Sequence, residues 1–76
     1  MKRKELPQTN LTLKNGLIAK FAFEDDWGRN VYEIKQNNKI VEIVDVDGVL
    51  HSMTKDGEPS FPLKGEFQPL EDNDGK

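Results

Sequence analysis

Chemistry needs groups that act together, so the candidate groups come first. His51 is the only histidine, and the chain has no cysteine. General acid–base catalysis uses histidine beside a carboxylate or a nucleophile. The residues expected opposite His51 are Val44 or Ile43, which supply neither. Ser52 and Ser60 stand in no nucleophile-elbow pattern, and the six glycines are scattered, so no phosphate-cradling loop is built. Asp45-Val46-Asp47-Gly48 and Asp72-Asn73-Asp74-Gly75 both read Asp-x-Asp-Gly. An EF-hand calcium loop needs Gly at its sixth position and Glu at its twelfth; both stretches place Gly at the fourth and lack that Glu. We expect no enzyme, no metal and no cofactor.

The aromatic residues offer more. Phe21, Phe23 and Tyr32 fall at strand positions and read as core. Trp27 does not: it sits in the polar stretch Glu24-Asp25-Asp26-Trp27-Gly28-Arg29-Asn30. Aromatics on loops are enriched at binding hot spots, although a loop Trp can also fold back to cap a sheet. A single-strand nucleic-acid platform would surround such aromatics with Lys and Arg. Here the neighbours are Glu24, Asp25, Asp26 and Glu33. The candidate contact set for a protein partner is therefore Asp25, Asp26, Trp27 and Arg29.

The charge distribution points the same way. Residues 1–20 carry five basic side chains and one acidic, residues 21–76 six basic and thirteen acidic, for a net charge of −3. An acidic body does not favour phosphate backbones, and it suits a partner that is basic. Nucleic acid is thus the secondary reading, with Lys2, Arg3, Lys4 and Lys14 as its phosphate contacts.

These residues need elements to hold them. With 76 residues, one small domain is the limit. We expect a flexible basic arm over 1–10, one β domain over 11–70 and an acidic, disordered tail over 71–76. Asn15-Gly16, Asn37-Asn38 and Asp47-Gly48 are hairpin-turn signals, because such turns require positive φ. No window has a helical period. The pattern predicts an all-β antiparallel meander of four to five strands, closing into a half-barrel or an SH3-like barrel. A two-residue loop at Asn37-Asn38 places Ile34 opposite Val41, Tyr32 opposite Ile43, Val31 opposite Val44 and Glu33 opposite Glu42.

Period-two spacing then assigns Leu17, Ala19, Phe21, Phe23, Tyr32, Ile34, Val41 and Ile43 to one core face. Val31, Val44, Val46 and Val49 fall on the opposite face. Pro62 and Pro69 restrict residues 61–70 to an edge strand or an extended arm. We expect that segment to fold back and lay Phe61, Leu63 and Phe67 over the valines. The other cover available is external, a second copy of the chain or a partner protein.

The absence of cysteine favours a reducing, cytoplasmic setting. No apolar stretch is long enough for a membrane span, and the basic start is not followed by the apolar region of a signal peptide. The function expected is a small non-catalytic protein-interaction module that binds a basic partner through an acidic surface. By analogy it would be an inhibitor or accessory protein of the mobile-element type. The alternatives are the nucleic-acid binder and a structural subunit that completes its core by homo-oligomerisation.

Overall fold

A computed structural model gives the structure of the chain and describes residues 6–70. Six antiparallel strands follow one another in sequence order: β1 (Leu11–Thr12), β2 (Ile18–Glu24), β3 (Asn30–Gln36), β4 (Lys39–Val46), β5 (Val49–Met53) and β6 (Pro59–Pro62). A single 3-10 turn, Gly65–Phe67, follows. The fold is all-β as expected, with one strand more than the meander predicted from the turns. The expected closure into a half-barrel or SH3-like barrel is not found. The sheet is open, because β1 and β6 pair only with β2 and β5 respectively.

Turn chemistry sets the register. Asn37 and Asn38 both have positive φ, 49° and 65°, as do Asp47 and Gly48, 55° and 89°. Two such residues in succession give a tight loop whose twist matches that of the strands. The pairs Ile34–Val41, Tyr32–Ile43, Val31–Val44 and Glu33–Glu42 follow as the sequence predicts. Lys20 lies across from Glu33 on the other side, so the like-charge pair continues a row that begins with a cation. The first loop differs from expectation. Leu13 N–H donates to Leu17 O at 2.8 Å and Gly16 N–H to Leu13 O at 2.9 Å, so three residues turn there rather than two.

A bulge in β2 decides which aromatics reach the core. Phe21 pairs with Tyr32, but Phe23 pairs with Val31, so Ala22 is an extra residue. One inserted residue moves everything after it to the other face. Phe23 is therefore not a core residue: it leaves the face of Phe21 and is 46% exposed. It heads a row on the opposite face, Phe23–Val31–Val44–His51–Pro62, read across five strands. Val31 and Val44 are fully buried within it.

The main core comprises Leu6, Leu11, Leu13, Ala19, Tyr32, Ile34, Ile43 and Leu50, with Leu17, Phe21, Leu63 and Phe67 packed against it. Phe21 meets Tyr32 edge to face, ring centroids 5.7 Å apart. Val41 was assigned to this core and is instead exposed. It stands on the open rim of a notch that Ile34, Ile43, Leu63 and Phe67 also line.

The segment after β6 does fold back, though not over the valines. Leu63 and Phe67 join the main core, and Phe61 is 77% exposed. The reason lies in what anchors the segment. Leu63 N–H donates to Leu50 O at 2.9 Å. The Gln68 amide accepts from Leu50 N–H at 2.8 Å and donates to Leu50 O at 3.1 Å and Leu63 O at 2.9 Å. Beyond it the chain reaches β1, with Lys14 N–H on Gln68 O and Leu70 N–H on Thr12 O, both at 3.0 Å. This strap spans the core face without pairing β6 to β1.

Residues 6–10, read as part of a flexible arm, form a second strap. Leu6 is buried in the core, its N–H donates to Asp45 Oδ2 at 3.2 Å, and its carbonyl accepts from Asn30 Nδ2 at 2.9 Å. The Tyr32 hydroxyl donates to Pro7 O in a short hydrogen bond. Burial pushes the Tyr32 phenol up to about 12, aided by the charge of Asp45 and opposed by a hydrogen bond from Asn30. It therefore stays protonated and remains a donor. Lys2, Arg3 and Lys4 lie outside the described residues, as does the tail 71–76.

Candidate protein-interaction site

Two loops share one backbone plan. In the first, Asp25 N–H donates to Arg29 O at 2.8 Å and Gly28 N–H to Asp25 O at 3.0 Å. In the second, Thr54 N–H donates to Glu58 O at 2.8 Å and Gly57 N–H to Thr54 O at 3.0 Å. Each has three residues between the paired ends and closes on a glycine of positive φ, 78° at Gly28 and 84° at Gly57. That conformation is strained for a residue with a Cβ.

The opening residue then ties the loop internally. Asp25 Oδ1 accepts from the N–H groups of Trp27 at 2.9 Å and Arg29 at 2.8 Å. Thr54 Oγ1 accepts from those of Asp56 and Glu58, both at 3.2 Å. The difference is charge. Asp25 also binds Arg29 Nε through Oδ2 at 3.0 Å. Burial raises the Asp25 carboxyl pKa, but the backbone donors and Arg29 together hold it below its ordinary value.

Trp27, fixed by this loop, is 72% exposed and has not folded back as a cap. The Arg29 guanidinium carbon lies 5.2 Å from the centre of its ring, a cation–π distance. Of the four residues singled out from the sequence, Asp25 shapes the loop and Arg29 braces it. Asp26 and Trp27 are left facing solvent.

The sheet brings the two loops to one cleft of about 250 Å³, lined by Phe23, Trp27 and Met53 together with Glu24, Asp25, Asp26 and Asp56. Asp25 has its countercharge in Arg29, and Glu24 accepts from the neutral Gln8 amide at 3.0 Å. Among the described residues no ion pair engages Asp26 or Asp56. No three carboxylates among them are grouped as metal ligands would be. The cleft thus combines flat or soft apolar walls with an uncompensated acidic rim. Phe23, Met53 and Asp56 were not singled out from the sequence. The bulge that turns Phe23 outward leaves no local signal, and Asp56 lies far from Trp27 along the chain.

A second and larger cleft, about 520 Å³, is lined by Asn10, Leu17, Ile18, Lys20, Glu33, Lys35 and Ile40. It holds two cations against one anion and offers a basic partner no attraction. No helix among the described residues is long and apolar enough to cross a membrane. Comparison with family models, curated proteins and solved structures finds nothing that matches this chain.

Proposed function

We propose that the protein is a non-catalytic interaction module that binds a basic segment of a partner protein through the cleft between loops 25–29 and 54–58. One observation supports this above all: an exposed Trp and a half-exposed Phe share a cleft with Asp26 and Asp56, two carboxylates that no cation among the described residues engages. Exposed aromatics contribute apolar contact area, and an unpaired acidic rim steers a cation toward it. The arrangement disfavours a phosphate backbone, which the same carboxylates would repel.

The test uses Trp27 as its own reporter, since the chain has a single Trp. A short peptide rich in Lys and Arg, titrated at low ionic strength, should shift the Trp27 emission, and added salt should weaken the effect. A polyanionic oligonucleotide of similar length should leave the emission unchanged. Salt-insensitive binding of the oligonucleotide with no response to the peptide would reverse the assignment.

A further inference from the structure

The chemistry of the cleft narrows the reading above to one side chain, and the narrowing rests on that reading. We propose that the residue seated there is an arginine on an extended, exposed segment of the partner. The loop already displays the recognition mode. Arg29 places its guanidinium 5.2 Å from the Trp27 ring centre while its edge donates to Asp25 at 3.0 Å. A planar cation can lie on an aromatic face and direct its N–H groups sideways at the same time. Arg29 does not line the cleft, whereas Trp27 does. The cleft therefore combines Trp27 with carboxylates, the same two kinds of group that hold Arg29. Asp26 and Asp56 line it as carboxylates that could meet a guanidinium edge as Asp25 meets that of Arg29, and Phe23 and Met53 add flat and polarisable walls.

Lysine suits this cleft less well. An ammonium is compact and strongly hydrated, and an open cleft does little to replace its water. It also cannot stack, so it forgoes the contact that the exposed indole face offers. The guanidinium is weakly hydrated and loses less on docking.

The experiment compares three peptides of one frame, acetyl-Gly-Ser-Xaa-Ser-Gly-amide, with Xaa as arginine, lysine or citrulline. Each is titrated into the full chain, with Trp27 emission and backbone amide shifts as readouts. The arginine peptide should bind about threefold or more tightly than the lysine peptide, as expected for a cation–π contact at an exposed site. Citrulline keeps the shape and loses the charge, and it should not bind measurably. The largest amide shifts should fall at Gly28 and Gly57. The double variant Asp26→Asn/Asp56→Asn should lose most of the arginine response. Both side chains are exposed, so the variant should keep its circular dichroism spectrum. Equal binding of arginine and lysine would overturn the choice of arginine and leave the basic-partner reading standing. Failure of both charged peptides to bind would overturn both. Amide shifts centred away from the two loops would overturn the site.

Discussion

The strapped side of the sheet and the Trp27 end use polar groups in opposite ways. Under the straps the polar side chains find their partners within the chain. Asp45 accepts from Leu6 N–H with one oxygen and from Gly48 N–H with the other, and the Gln68 amide is engaged at both its atoms. No buried side-chain polar atom among the described residues is left without a hydrogen bond. At the Trp27 end Asp25 pairs with Arg29 and Glu24 accepts from Gln8, while Asp26, Asp56 and the indole face solvent. The contrast separates polar groups that hold the fold from those free to meet something else. It also yields a ranking: substitutions on the strapped side should cost stability, and those at the other end should cost binding.

The largest effect should come from the core beneath the straps. Ile43 is 1% exposed and pairs with Tyr32 on one side and Ser52 on the other. Ile43→Ala should destabilise the domain by about 2–5 kcal/mol, the range for emptying a packed aliphatic site. For so small a domain that is a large part of the total, so the urea midpoint should fall steeply. A midpoint that does not move would mean the straps, rather than this face, define the core.

Gln68→Ala should come next. It removes three hydrogen bonds at once and takes from the Leu50 N–H its amide acceptor, while the Leu50 carbonyl keeps the Leu63 N–H. At about 1 kcal/mol for each bond, the loss should be about 2–3 kcal/mol. Hydrogen exchange gives the sharper readout, since the Leu50 amide should lose protection before amides at the centre of β3. Uniform loss across the sheet would show that the strap does not open on its own.

These two residues also show what local sequence could and could not reveal. Ile43 was legible because Asn37-Asn38 fixes the β3–β4 register, and a register fixes every side chain on both strands. The Asp47-Gly48 turn was legible for the same reason. Gln68 was not, because its partner Leu50 lies eighteen residues away, and nothing about a glutamine between Phe67 and Pro69 announces an amide clasp. Leu6 is the stronger case, meeting Asp45 across thirty-nine residues. Phe23 fails differently: its period-two spacing is sound up to Ala22, and the bulge there resets it. At the site, Trp27 and its acidic neighbours could be read because they are adjacent in sequence. Met53 and Asp56 could not, because only the shape of the whole sheet places them beside Trp27.

Asp25 stands between the two regions, internally satisfied yet on the binding loop, and its contribution should depend on pH. Its folded pKa lies below the unfolded value of about 3.8. A depressed carboxyl contributes stability that is present above the unfolded pKa and is lost as pH falls through the folded one. Asp25→Asn keeps an oxygen to accept from the Trp27 and Arg29 amides and removes the charge. The wild-type chain should therefore exceed the variant in stability at pH 6, and the gap should close as the pH falls below about 4. A gap that persists at pH 2 would assign the loss to altered geometry rather than charge.

Trp27→Ala should have the smallest effect on stability and the most direct bearing on the contrast. The ring is 72% exposed, and it meets Arg29, whose own ion pair with Asp25 survives the change. An exposed cation–π contact contributes about 0.5–1 kcal/mol, so the variant should unfold within about 1 kcal/mol of the wild type. The backbone plan of the loop does not involve the indole, because Asp25 caps it through main-chain N–H groups. Binding of a basic peptide, followed by amide shifts now that the fluorophore is gone, should nevertheless fall sharply. Stability and binding would then separate at a single residue, as they should where a large apolar surface is held in water by a rigid loop. A loss of stability as large as that of Gln68→Ala, with peptide binding intact, would place Trp27 among the residues that hold the fold and erase the distinction between the two ends.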